Sequence, residues 1–276
     1  MNKIVIENPT GASFSAQLSA LYQTLTKIDQ NNDNLFDLSN AKAPFYPLIL
    51  LPLGVYINDS KSECVLPSEG NSLITEVMFP KGTDHNENFS QKVLPIVHLT
   101  NHSDIKSRDQ LICDFIEALK LNTKELDSNS LFYPITELLN NVFEHSKKDE
   151  GWVFAIVDKK NKFIDVCIVD SGRGLRRSYI EEENLNISHL EAIGQAMTGH
   201  STKKDKDRGY GLFTTKNIIC KGLLGNFLVI TGNAVLIAEG GDEKVIELDR
   251  NIWNGVVLAY RIPLVKKKIN IYDYLE

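Results

Sequence analysis

Between Pro134 and Ser146 the chain reads Pro-Ile-Thr-Glu-Leu-Leu-Asn-Asn-Val-Phe-Glu-His-Ser. Leu138, Leu139 and Val142 form an apolar stripe at helical spacing, so a helix is predicted. Glu137, Asn141 and His145 follow one another at intervals of four, which stacks an acid, an amide and an imidazole along another face. Such a row has little to do in an apolar core, where each group needs a partner. It suits a solvated helix face or the wall of a polar cleft. On a cleft wall the Asn oxygen is a hard ligand for Mg²⁺. The carboxylate one turn earlier can polarise a water or hydroxyl beside metal-bound phosphates.

Two glycine motifs downstream favour the cleft. A strand predicted over Phe163 to Val169 runs into Asp170-Ser-Gly-Arg-Gly174. An Asp at a strand end followed by two glycines offers a carboxylate and a backbone that a flat ligand can approach closely. That carboxylate suits an exocyclic amine such as the adenine N6 amino group. Taken alone, Asp-Ser-Gly is also an ordinary turn. The second motif, Asp207-Arg-Gly-Tyr-Gly-Leu212, leads into a helix predicted over Phe213 to Cys220. Bare N–H groups of Gly209 and Gly211 at a helix start can bind phosphate oxygens. Lys203, Lys204, Lys206 and Arg208 make the local field positive, though at least half of them read as a solvated loop. No strand directly precedes Gly209, which disfavours a Rossmann site, and the Walker A pattern is absent.

In order and spacing, these three pieces resemble the GHKL, or Bergerat-fold, ATPases, the family of gyrase B, the heat-shock chaperone ATPase, histidine kinases and anti-sigma-factor serine kinases. The wording Glu-Leu-Leu-Asn-Asn-Val-Phe-Glu-His is most similar to the anti-sigma-type kinases. The resemblance covers residues 106–266 and implies a two-layer α/β sandwich. It implies Glu137 as general base and Asn141 as the Mg²⁺ ligand. It further implies ATP binding through Asn141, His145, Asp170, Gly172, Gly174, Thr202, Lys204, Arg208, Gly209, Tyr210, Gly211 and Leu212. Residues between Gly174 and Gly209 would be the ATP lid, with a helix over Ile187 to Met197 and a hinge at Gly199 to Thr202. The family commonly has a Thr in a late strand near the adenine-binding Asp. The matching tract here, Asn254-Gly-Val-Val257, has Val256 at that position, and Thr231 lies in a neighbouring strand.

Upstream, the pattern is that of a small α/β layer over residues 1–105. Lys3 to Glu7 and Leu35 to Leu38 read as strands. Ser13 to Asp29 reads as a helix capped by Ser13, and Pro44 to Asn58 as a buried helix that Pro52 bends or splits. The order, with Asp-Leu-Ser ending a strand, resembles the STAS-like folds. Residues 60–90 carry few signals. Lys92 to Leu99 is predicted as an edge strand because of Pro95, and His85, His98 and His102 lack metal-ligand spacing. Polar residues 101–107 mark the expected domain boundary, followed by an amphipathic helix over Arg108 to Leu121. Four late strands, Phe227 to Thr231, Val235 to Ala238, Val245 to Leu248 and Val256 to Ile262, are expected to complete a mixed sheet with helices on one face. Residues 267–276 read as a solvated tail.

A net charge of −6 argues against a broad nucleic-acid-binding surface. Four scattered cysteines without a CxxC pair point to free thiols. Met1 to Pro9 has no long apolar core, so no signal peptide is expected. The longest apolar run, Pro47 to Tyr56, is too short to span a bilayer. A cytoplasmic protein follows as an expectation, with an adenine nucleotide, Mg²⁺ and a protein partner, STAS-like in the kinase version; a homodimer is compatible. Three activities fit: ATP hydrolysis or an ATP switch, serine/threonine kinase activity of the anti-sigma type, and nucleotide-dependent partner binding without turnover.

Overall fold

The computed structural model of the chain describes residues 1–6, 8–41, 45–67, 72–86, 89, 93–100, 105–123, 126, 128–199, 211–265 and 269–274. The chain opens with β1 (Asn2–Val5), α1 (Phe14–Leu25), β2 (Asn34–Asp37), α2 (Pro47–Ser60) and β3 (Glu63–Val65). The three strands form a parallel sheet in the order β1-β2-β3, and each crossover between them is a helix, as parallel pairing requires. Ser13 caps α1 by accepting the Ala16 N–H. Pro52 does not split α2. The helix runs through it, and it is buried continuously from Pro47 to Val55 because layers pack on both its sides. That burial offsets the hydrogen bond a mid-helix proline removes. Pro44 lies outside the described residues; Pro47 starts the helix instead.

A short helix, α3 (Ser72–Glu76), precedes β4 (Val97–Thr100), α4 (Ile105–Asn122), α5 (Ser128–His145), β5 (Glu150–Asp158) and β6 (Phe163–Asp170). Two helices follow, α6 (Gly174–Glu183) and α7 (His189–Met197), and then α8 (Gly211–Asn217) with a π-helical turn at Ile218–Gly222. The chain closes with β7 (Asn226–Gly232), β8 (Ala234–Glu239), β9 (Asp242–Glu247) and β10 (Trp253–Pro263). These strands build one sheet in the order β4-β5-β6-β10-β7-β8-β9. Every adjacent pair of these seven strands is antiparallel, not mixed as expected. Short reversals join most sequence neighbours, and β10 returns to the middle between β6 and β7. β4 is an edge strand; it begins at Val97, so Pro95 precedes it and does not interrupt it, and Lys92 lies outside the described residues.

Both faces of the large sheet are covered, one by the helices of residues 105–222 and the other by α1 and α2 of the small layer. Val153, Ile168, Val229 and Leu258 share an apolar core with Leu111, Phe115, Ile135 and Leu138 of α4 and α5. The alternate residues Phe154, Cys167, Leu228 and Val257 share another with Leu18, Leu21, Leu50 and Leu53 of α1 and α2. Within that second core Arg261 donates two hydrogen bonds to Asp165, both 2.6 Å, across the β6–β10 ladder. Its guanidinium lies over the rings of Phe163 (3.8 Å) and Phe14 (5.8 Å). No disulfide joins the four cysteines, and no described helix is long and apolar enough to cross a membrane. Instead of a plain tail, Ile271–Tyr274 forms a 3-10 turn whose Tyr274 packs by Gly222.

Candidate functional site

α5 supplies the centre of the site. It begins at Ser128, upstream of the expected Pro134, which stands buried inside the helix. Ile135, Leu138, Leu139 and Val142 are buried on the core side. Glu137, Asn141 and His145 are partly exposed along the other side, as their spacing dictates.

Gly211, the first residue of α8, abuts this row. A Cβ built on it would stand 2.3 Å from Glu137 Oε1 and 2.9 Å from Asn141 Nδ2. Only a residue without a side chain lets the helix start come so close. The fold thus brings Gly211 to Glu137 and Asn141, which lie far earlier in the chain. Leu212 is partly buried and packs towards the helix-side core. Thr202, Lys204, Arg208, Gly209 and Tyr210 lie outside the described residues, as do residues 200–202 of the expected hinge.

The second motif docks on the C-terminal end of α5. A Cβ on Gly172 would meet the Ser146 carbonyl oxygen at 2.3 Å. Arg173 donates its backbone N–H to Ser146 O (3.0 Å) and its side-chain Nε–H to His145 O (2.7 Å). The same guanidinium pairs with Glu181 and Glu182 of α6. Gly174 has φ +70°, and a Cβ there would meet the Asn254 carbonyl oxygen at 2.4 Å and Thr231 Oγ1 at 2.8 Å.

Asp170 ends β6 opposite Val256 of β10. Its carboxylate accepts the N–H of Gly172 at 2.8 Å and that of Val256. Burial pushes its pKa up to about 7, against the lowering effect of those two bonds and of Lys148. Val256, which has no side-chain hydroxyl, thus offers this carboxylate its backbone N–H. The Thr231 hydroxyl accepts the Leu175 N–H (3.2 Å) and so holds the start of α6 beside Gly174.

Sequence reasoning missed Gly255, Ser146 and Trp253. A Cβ on Gly255 would lie 2.6 Å from Asp170 Oδ1, and the Trp253 indole N–H donates to Asp170 O at 2.7 Å. The signal for Gly255 was its place just before Val256, but its neighbour across the ladder is invisible without the pairing.

The expected lid differs from a plain flap. Gly174–Glu183 is already helix α6. The helix expected from Ile187 starts at His189 as α7, closed by a capping box between Ser188 and Glu191. Ala192, Ile193, Ala196 and Met197 of α7 are buried. No cluster of three or more His, Cys, Asp and Glu suited to a metal is found among the described residues. An ion here would take one protein oxygen, from Asn141, and draw its other ligands from phosphates and water, the coordination Mg²⁺ favours. His98 of β4 stacks on Trp152 at 3.7 Å and meets Glu150. Neither a protein-family model nor a curated protein matches this chain.

Proposed function

We propose that the chain binds Mg-ATP in the cleft between α5, the end of β6 and the start of α8, and hydrolyses it, in the manner of the Bergerat-fold ATPases. The observation that carries this reading is the approach of Gly211 to Glu137 and Asn141. It sets a backbone suited to phosphates beside a base and the amide of Asn141, whose oxygen is a hard ligand. At the other end of α5 the glycine-lined Asp170 carboxylate suits the adenine amino group. Magnesium, when bound, would neutralise phosphate charge and polarise the γ-phosphoryl group, with Asn141 as its protein ligand.

Glu137 acts as general base. Water attacks the γ-phosphorus, its proton passes to the Glu137 carboxylate, and the bond to the β–γ bridging oxygen breaks to leave ADP and phosphate. His145, one turn beyond Asn141, lines the same row. Because Glu137 is only partly buried, a serine hydroxyl of a protein partner could take the place of water, and a STAS-like partner is the acceptor that the sequence resemblance suggests.

Replacing Glu137 by Ala tests the assignment. Phosphate release should fall about 10²–10⁴-fold while ATP still binds by calorimetry. Turnover that survives the substitution removes Glu137 from the chemistry. With γ-labelled ATP, label in free phosphate supports hydrolysis, and label on an added partner supports transfer. Nucleotide-dependent partner binding with neither product would leave a switch without turnover.

A further inference from the structure

A cavity of about 530 Å³ lies between the small α/β layer and the start of β10. It is on the opposite face of the sheet from the Asp170 carboxylate. Side chains alternate along β6, so Ile168 and Asp170 point to the α5 side, and Val169 to the α2 side, where Ser171 lines the cavity. Tyr56 of α2 and Trp253 of β10 contribute rings to its wall, and Asp59 and Arg250 are its charged members.

The rings are held. Tyr56 packs edge-on to buried Phe36 at 5.7 Å, and the Trp253 indole is fixed by its bond to Asp170 O. The polar groups are not fully engaged. The Ser171 hydroxyl is buried, with no hydrogen-bond partner among the described residues. Asp59 pairs with no described cation, and Arg250 sits at the exposed edge beside Tyr22 and Asp249, the latter at 3.7 Å.

We infer that this cavity binds a small zwitterion with a flat apolar body, the chemistry of an aromatic amino acid. Its size is that of small-molecule sites. Arg250 receives the carboxylate, Asp59 the ammonium group, and the Tyr56 and Trp253 rings the body. The wall is shared with the cleft on the other face. Trp253 holds Asp170 O, and the Asn254 carbonyl lies against Gly174. A ligand that moves either residue therefore shifts the proposed adenine end. This coupling rests on the nucleotide reading, whereas binding to the cavity does not.

The test uses the full chain without nucleotide and L-phenylalanine as probe, because that ligand leaves tryptophan fluorescence to the protein. A saturable change with half-saturation at or below about 1 mM is expected. It should vanish in Trp253→Phe, which places the signal at the cavity and not at Trp152. Phenethylamine and 3-phenylpropionate, each carrying one of the two charges, should bind at least about tenfold more weakly, a loss of about 1.4 kcal/mol. Asp59→Ala and Arg250→Ala, both at exposed positions, should each weaken L-phenylalanine about tenfold with circular dichroism unchanged. The proposal is overturned by no saturable response to about 20 mM in fluorescence and calorimetry, by equal binding of the single-charge analogues, by a signal that persists in Trp253→Phe, or by undiminished binding in both charge variants. ATP affinity is then measured with and without L-phenylalanine. Binding of the amino acid by a chain that takes no ATP would sink the proposed function and leave the cavity standing.

Discussion

A methyl group on Gly211 has nowhere to go without moving the Glu137 carboxylate, the tip of a flexible side chain. Gly211→Ala should therefore fold, with a melting temperature close to that of the parent, and lose about 10²-fold in phosphate release through a misplaced base. Unchanged turnover in a steady-state assay would contradict the proposed role of this contact. Asp170 gives a pH-dependent test. Its pKa is near 3.8 unfolded and about 7 folded, so the unfolded chain ionises first. The group's contribution to stability falls as pH rises from about 4 to 7, and the full penalty stands above that. Asp170→Asn should melt higher than the parent at about pH 8 and no higher at about pH 4. It should also lose ATP affinity in calorimetry, the trade-off expected where a buried charge serves binding. The parent's affinity for ATP should itself weaken as pH drops below about 7, since the amino group needs an ionised acceptor. At this scale the row on α5 was legible because intervals of four need only a helix to become neighbours. The contact of Gly255 with Asp170 was not, since it joins two strands far apart in the chain.

Among the elements, those with a clean apolar period were read well. Leu111, Ile112, Phe115, Ile116 and Leu119 all turn inward on α4. α6 went unread because Gly174–Glu183 has few apolar residues, and of its side chains mainly Ser178 and Tyr179 are buried. It gains instead from charge pairs, Arg177 with Glu181 and Arg173 with Glu181 and Glu182, which leave no apolar stripe to detect. α5 was read six residues too short, since a proline normally opens a helix and here stands within one. α7 owes its start to the reciprocal bonds of Ser188 and Glu191. Ser188→Ala should cost about 1 kcal/mol of local stability, seen as faster amide exchange in residues 189–197. Equal exchange rates there would mean that the buried face alone holds the helix.

For the molecule as a whole, the decisive feature is the second buried face of the large sheet. Phe154, Cys167, Leu228, Ile230, Val257 and Ala259 pack with α1 and α2, and Arg261 joins Asp165 to the ring of Phe14. A fragment of residues 105–276 would expose these side chains and strip the cover from a buried ion pair. It should bind a hydrophobic dye and self-associate in sedimentation, as large exposed apolar patches do. A monomeric fragment with sharp melting and no dye binding would show that the sheet needs no such cover.

What the sequence determined by itself was local or nearly so: the stacked Glu137, Asn141 and His145, the strand-end Asp170 with its glycines, the helix capped by Ser13 and the order in which these pieces come. Such features depend on periods of two to four residues, which a reader can count. Tertiary structure alone decided that β10 would enter between β6 and β7, bringing Gly255 and Trp253 to Asp170. It also decided that Gly211 would close on Glu137 and that α2 would line the sheet's far face. Strand partners and stacked layers are chosen by how much apolar surface the whole chain can bury at once, and no short window of residues carries that sum.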